Sequence, residues 1–118
     1  MNERRPNVLV IEDDIDCAEE LAELLESYDM TVRVAHDLSS ARARAAEQEF
    51  DVALVDLALG QENGLEVAQE WHREGRFVVL LTGSSPGEVD MAGFTGAPPP
   101  VMRKPVDVRE LRSLIAPD

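Results

Sequence analysis

The sequence contains few aromatic residues, one cysteine and no long apolar run. Aromatic residues make up 4% of the chain and hydrophobic residues of all types 44%, so its core must be mainly aliphatic. The single Cys17 excludes an internal disulfide and favours a reducing compartment. No apolar stretch approaches the roughly 20 residues that cross a bilayer. We therefore predict a cytoplasmic protein that does not span the membrane.

Basic residues are also scarce: 11 stand against 24 acidic residues, which gives a formal net charge of −13. Direct binding to nucleic acid requires a basic surface, so we expect none. The acidic excess favours cations and basic protein surfaces as partners. The 118 residues are enough for one compact domain and too few for two, and we predict a single domain over residues 1–118.

Short apolar runs alternate with amphipathic segments. The predicted strands are Asn7–Ile11, Thr31–Ala35, Val52–Val55, Phe77–Leu81 and Val101–Met102. The predicted helices are Ile15–Tyr28, Leu38–Glu47 (capped by Asp37 or Ser39), Leu65–Arg73, a glycine-weakened Glu88–Phe94, and Asp107–Ile115 with Asp107 as N-cap. This alternation predicts an α/β fold in which about five helices cover both faces of a five-stranded parallel sheet. Right-handed crossovers would make the sheet doubly wound.

Polar side chains follow four of the five predicted strands. Glu12 and Asp13 follow the first strand, Asp56 the third, Thr82 the fourth and Lys104 the fifth. Ligands of open α/β sheets bind at the carboxyl ends of the strands. We therefore expect these five side chains to converge at one edge of the sheet.

The acidic residues of this set favour a magnesium site. Carboxylates that are brought together repel one another unless a cation neutralises them or one of them is protonated. Mg2+ prefers hard oxygen ligands and usually keeps several waters. We predict that Asp13 and Asp56 bind Mg2+ directly, that Glu12 acts through water, and that the backbone carbonyl of Ala58 adds a ligand.

The same set favours phosphorylation of Asp56. A carboxylate can attack phosphorus and form an acyl phosphate, and the transferring group needs its equatorial oxygens neutralised. Mg2+, the Lys104 ammonium and the Thr82 hydroxyl can each serve one oxygen. No glycine-rich cradle for a nucleotide accompanies them. We predict a protein that catalyses only its own phosphorylation and dephosphorylation, not an enzyme acting on other substrates.

Four motifs also carry a family resemblance: VLVIEDD, DVALVDLALG with NG at 63–64, VVLLTG and RKP. Together, and in this order, they resemble the response-regulator receiver domain of two-component signalling along essentially the whole chain. The resemblance implies a flavodoxin-like sheet of order 2-1-3-4-5 and a cis Lys104-Pro105 peptide. It also implies that Asp56 is the phosphoacceptor.

The resemblance further implies that Glu12 and Asp13 form the acidic pair, that Thr82 is the switch hydroxyl, and that Lys104 contacts the phosphate. The implied partners are a sensor histidine kinase or histidine phosphotransfer protein and a downstream protein target, and pairing with a second copy of the chain stays open. One departure is Val101, which occupies the switch position where receivers typically carry an aromatic residue. This departure predicts an altered output face around residues 83–101.

Three alternatives stay open. The first is a pseudo-receiver, which uses the fold as a binding module without phosphorylation. The second is a phosphatase of the haloacid-dehalogenase type, although its D-x-D pair after the first strand is replaced here by E-D-D. The third is a flavin binder, although three acids in its phosphate loop would repel a phosphate. We expect a single-domain regulator; a receiver module of a larger regulator or hybrid kinase is the alternative.

Overall fold

The computed structural model describes residues 5–115, so the predicted domain of residues 1–118 extends beyond the described residues at both ends. The strands are β1 (Asn7–Ile11), β2 (Thr31–Ala35), β3 (Val52–Asp56), β4 (Ala58–Leu59), β5 (Glu62–Asn63), β6 (Val78–Thr82) and β7 (Val101–Arg103). The helices are α1 (Ile15–Glu26), α2 (Leu38–Glu47), α3 (Gly64–Arg73) and α4 (Val108–Ile115), and Pro86–Glu88 forms a 3-10 turn.

Five of the strands form one parallel sheet of order β2-β1-β3-β6-β7. This confirms the predicted order 2-1-3-4-5, because the short antiparallel hairpin β4–β5 lies outside the main sheet. The Lys104-Pro105 peptide is cis, as the resemblance implied. Within residues 5–115, no helix is long and apolar enough to cross a membrane.

Two hydrophobic clusters cover the two faces of the sheet. Successive side chains of a strand point to opposite faces. In β1, Leu9 and Ile11 therefore join the cluster that includes residues of α2 and α3, whereas Val8 and Val10 join the cluster that includes residues of α1 and α4. Burial on both faces explains why the central strands are continuous apolar runs, not alternating ones. The predicted doubly wound α/β fold is confirmed.

Two of the predicted helix caps are also present. The Asp37 carboxylate accepts a hydrogen bond from the backbone N–H of Ser40, at 2.7 Å. This bond lowers the pKa of Asp37. Asp107 accepts from the backbone N–H groups of Arg109 and Glu110, at 3.0 and 3.2 Å. Both carboxylates satisfy donors that have no partner inside the helix.

The predicted helix Glu88–Phe94 is wrong, and residues 5–115 contain four α-helices, one fewer than the five expected. Residues 83–100 (the β6–β7 segment) contain only the 3-10 turn, because glycine in a helix interior costs about 1 kcal/mol relative to alanine. The segment is fixed by packing instead: Phe94 lies edge-on to the His72 ring, with ring centroids 5.3 Å apart. The His72 ring is also hydrogen-bonded through Nε2 to the Ala97 carbonyl, at 2.8 Å.

Candidate functional site

Three carboxylates meet at the carboxyl ends of β1 and β3. The two strands pair in parallel up to Ile11 and Val55, so the residues that follow them lie side by side. One carboxylate oxygen from each of Glu12, Asp13 and Asp56 lies within 4.8 Å of the others. Glu12 and Asp56 are buried, with 5% and 1% of their surface exposed, whereas Asp13 is open to solvent.

Lys104 joins this cluster from the end of β7. Its Nζ donates hydrogen bonds to Asp56 Oδ2 at 2.7 Å and to Glu12 Oε1 at 3.0 Å. Burial lowers the pKa of Lys104, but the bonds to Asp56 and Glu12 outweigh this effect and raise the pKa overall. The pKa of Glu12 is raised, first by burial and then by its interaction with Asp56, and the bond to Lys104 offsets only part of this. One ammonium is therefore shared by the two buried carboxylates, Glu12 and Asp56.

Backbone hydrogen bonds orient the two buried carboxylates. The backbone N–H of Ala58 donates to Asp56 Oδ1 at 2.9 Å, and the backbone N–H of Asp14 lies 3.3 Å from Glu12 Oε2. His36 Nδ1 donates to the Glu12 carbonyl at 3.0 Å. The sequence pattern carried no signal for His36, because its contact depends on β2 lying beside β1 in the sheet.

Thr82 is the last residue of β6 and lies next to Lys104, at the sheet edge where the five polar side chains were predicted to converge. Thr82 is 8% exposed, and its Oγ1 accepts from the backbone N–H of Ser84 at 3.1 Å. The backbone N–H of Lys104 donates to the Thr82 carbonyl at 2.8 Å, which fixes the ends of β6 and β7 together. Val101 lies at the start of β7, half-buried and paired with Leu80. The residues predicted for the site thus gather at one sheet edge, with Val101 at the opposite end of its strand.

The donor set fits a small divalent cation. Mg2+ holds oxygen ligands at about 2.1 Å, so adjacent ligands of its octahedral shell lie about 3.0 Å apart and opposite ligands about 4.2 Å apart. One carboxylate oxygen from each of Glu12, Asp13 and Asp56 lies within 4.8 Å of the others, so small side-chain movements would bring the predicted direct ligands, Asp13 and Asp56, to either spacing. Ala58 lies two residues beyond Asp56, and its carbonyl remains a predicted ligand.

Gly64 supports the site from behind. It is the first residue of α3, and a Cβ atom built on it would lie 2.6 Å from the backbone oxygen of Asp56 and 3.2 Å from Val55 Cγ1. Real Cβ atoms do not approach a backbone oxygen that closely. The start of α3 can therefore pack against the end of β3 only with glycine at this position.

We expect Gly64→Ala to destabilise the fold by about 1 to 3 kcal/mol, the usual range for overpacking a rigid contact. The backbone of Asp56 must shift, so phosphorylation of this residue should also slow. Gly87→Ala is the matched control, because a Cβ there meets no atom within 4 Å. Urea unfolding of both variants measures the effect. Equal free energies of unfolding would contradict the claim that α3 can pack against β3 only with glycine at position 64.

Fold and site together define a class: a doubly wound α/β domain with a buried carboxylate, an acidic pair and a lysine at the carboxyl edge of its sheet. The family model described as the response regulator receiver domain matches residues 8–116. The chain therefore belongs to the response regulator receiver domain family. This membership argues against the phosphatase and flavin-binder alternatives.

Similar proteins agree with this assignment. The chain is 33% identical to the probable transcriptional regulatory protein TcrX of Mycobacterium tuberculosis, over 88% of this chain and 45% of that protein. It is 26% identical to the response regulator ArlR of Staphylococcus epidermidis, over 92% of this chain and 50% of that protein. The chain thus spans about half the length of these curated relatives.

Solved structures show the same fold. A response regulator from Burkholderia pseudomallei, crystallised with a phosphorylated aspartic acid, a calcium ion and citrate, superposes with a TM-score of 0.81 at 27% identity, covering 93% of this chain and 66% of that one. A putative response regulator from Chloroflexus aurantiacus superposes with a TM-score of 0.82 at 20% identity, covering 96% and 99% of the two chains. The second likeness bears on the fold alone.

Proposed function

We propose that this receiver domain accepts a phosphoryl group on Asp56 from a phosphohistidine of a sensor kinase or histidine phosphotransfer protein, with Mg2+ as cofactor. The observation that carries the proposal is the position of Asp56. Its carboxylate is 1% exposed, lies beside two other acids and is held by the ammonium of Lys104. A group so placed is well suited to nucleophilic attack on phosphorus.

The transfer makes one bond and breaks one. A carboxylate oxygen of Asp56 attacks phosphorus, the P–N bond of the phosphohistidine breaks, and its electron pair returns to the imidazole. Bound Mg2+, held by Asp13, Asp56 and the Ala58 carbonyl with Glu12 acting through water, would neutralise a phosphoryl oxygen. Lys104 neutralises a second oxygen from its place beside Asp56, and the Thr82 hydroxyl donates to a third.

Thr82 links phosphorylation of Asp56 to the β6–β7 segment, whose change a partner can recognise. Its hydroxyl oxygen holds the backbone N–H of Ser84 before phosphorylation. If the Thr82 side chain rotates so that its hydroxyl donates to a phosphoryl oxygen, Oγ1 moves away from the Ser84 N–H and this hydrogen bond is lost. The β6–β7 segment then loses a hydrogen bond that holds its first residues to the end of β6. Val101 has no aromatic ring that could rotate on phosphorylation. We therefore assign to this segment the conformational change that signals phosphorylation to a partner. A downstream protein, and not nucleic acid, is the proposed target, since the net charge is −13.

The test is intact-mass measurement after incubation with Mg2+ and a phosphodonor: acetyl phosphate, phosphoramidate and a phosphorylated histidine kinase in parallel. We expect one added phosphoryl group per chain, absent when Mg2+ is removed by EDTA. No adduct with any donor, the kinase included, would support the pseudo-receiver instead. Turnover of an unrelated phosphoester would contradict the proposal that the chain acts only on its own phosphate.

A further inference from the structure

The hairpin β4–β5 begins two residues after Asp56 and lies beside the acidic site. Its strands pair Ala58 with Asn63 and Leu59 with Glu62, and the Leu59 side chain is buried at 3% exposure. The turn contains Gly60 at φ +62°, where a Cβ atom would lie 3.4 Å from Asp13 Oδ2. The hairpin therefore lies beside one predicted cation ligand, Asp13, and carries another, the Ala58 carbonyl.

Glu62 connects this hairpin by a hydrogen bond to α2, a helix that lies far from it in sequence. Its Oε1 accepts a hydrogen bond from the backbone N–H of Leu38, the first residue of α2, at 2.9 Å. The first N–H groups of a helix have no partner inside it, and the positive end of the helix dipole favours a carboxylate. Asp37 already serves a different donor, the N–H of Ser40. Glu62 and Asp37 thus satisfy different groups, and only Glu62 comes from the hairpin.

The next residue fixes the other side of the hairpin. Asn63 Oδ1 accepts from the backbone N–H of Leu65 at 2.9 Å, at the start of α3. The strand β5 is thus held between the amino ends of α2 and α3. Breaking the bond from Glu62 leaves the α3 side in place and frees the α2 side. The group expected to move is the hairpin that bears Ala58 and lies beside Asp13.

We propose that Glu62 is a positioning residue for the cation site: by anchoring the hairpin to α2, it places the Ala58 carbonyl, beside the Asp13 carboxylate, for Mg2+ binding. Glu62 itself does not touch the ion. The inference rests on the proposed function for its link to phosphorylation, but it concerns cation affinity and can be measured without a phosphodonor.

The experiment compares Glu62→Ala, Glu62→Gln and Glu66→Ala with the unmodified chain. The glutamine keeps an Oε1 acceptor for the Leu38 N–H. Glu66 is an exposed acid in the first turn of α3, so its removal changes the net charge by the same amount. Mg2+ alone is titrated into each protein and followed by calorimetry. Thermal unfolding in EDTA and the phosphorylation rate at saturating Mg2+ are measured alongside.

We expect Glu62→Ala to weaken Mg2+ binding about tenfold, as the loss of a group that orients metal ligands usually does. Glu62→Gln should recover most of this affinity, and Glu66→Ala should match the unmodified chain both in Mg2+ affinity and in its phosphorylation rate at saturating Mg2+. A cap that only stabilises α2 would lower the unfolding temperature and leave the Mg2+ affinity alone, which would overturn the inference.

Failure of the proposed function gives a different pattern. If the unmodified chain binds Mg2+ but takes up no phosphoryl group, the phosphorylation proposal fails, and the titrations still decide the role of Glu62. If the unmodified chain binds no Mg2+, both proposals fall.

Discussion

An Asp56→Asn protein is expected to take up no phosphoryl group under conditions in which the unmodified chain takes up one. The carboxamide has no anionic oxygen to attack phosphorus, and it removes one of the three acids that would hold Mg2+. Intact mass after incubation with each donor measures the result. An adduct that persists in the variant would place the acceptor on another residue, with Asp13 the first to test.

The fold should survive this change, so the loss can be read as chemistry. Asparagine has nearly the shape of aspartate, and its Oδ1 can still accept from the Ala58 N–H. Lys104 loses one carboxylate but keeps Glu12, and the repulsion between two buried acids disappears. We expect the free energy of unfolding in EDTA to stay within about 1 kcal/mol of the original, because the change leaves no buried charge without a partner.

Asp90→Asn is the matched control. Asp90 is an exposed acid whose Oδ1 accepts from the Ala92 N–H, a bond that the amide oxygen can also accept. The control therefore repeats the loss of one charge at a distance from the site. It should be phosphorylated like the unmodified chain, and a comparable loss there would show that net charge, not Asp56, governs the reaction.

The parts of this molecule that could be predicted from sequence are those with local causes. β1 and β3 are apolar runs bounded by polar residues, so the positions where they end could be predicted. Because ligands of open α/β sheets bind at the carboxyl ends of the strands, Glu12, Asp56 and Lys104 could then be placed together. The caps Asp37 and Asp107 follow from short-range hydrogen bonding to N–H groups two or three residues ahead. In each case the deciding interaction lies within a few residues or follows from the strand order.

The parts that escaped prediction depend on contacts between distant residues. In place of the helix predicted over Glu88–Phe94, Phe94 packs on the ring of His72. His72 lies in α3, and the sequence gives no sign that it contacts Phe94. The bond from Glu62 to Leu38 joins residues 24 apart in the chain, and β4–β5 is too short to show a pattern. The glycine of the NG motif is visible in the sequence, but the reason for it, the closeness of the Asp56 carbonyl, is visible only in the three-dimensional structure.

Lys104→Met should lower the free energy of unfolding in EDTA at about pH 7 by about 2 to 3 kcal/mol, since removing one partner of a buried ion pair costs about 3 to 5 kcal/mol. The lower figure reflects the 33% exposure of the Lys104 side chain. Methionine keeps the length of the side chain, but Glu12 and Asp56 lose their shared ammonium. Arg103→Met, which removes a positive charge from the exposed preceding residue, should cost much less. Urea unfolding of the two variants makes the comparison.

The pH dependence of this loss has a definite sign. The pKa of Glu12 is already raised by burial and by Asp56, and Lys104 is a group that lowers it. Without the ammonium, the pKa of Glu12 in the folded state rises further above its unfolded value. The folded state then binds more protons, so stability is retained at low pH and lost as pH rises through the folded pKa. The deficit of Lys104→Met should therefore shrink as pH is lowered from about 7 towards about 5.

Mg2+ should reduce the same deficit at neutral pH. A cation that binds the folded site and not the unfolded chain stabilises the fold, and in Lys104→Met it would also replace the missing positive charge between Glu12 and Asp56. The gain in stability on adding Mg2+ should thus be larger for Lys104→Met than for Arg103→Met. Equal gains would mean that the ammonium and the cation do not neutralise the same carboxylates, and the assignment of this acidic cluster as the magnesium site would have to be given up.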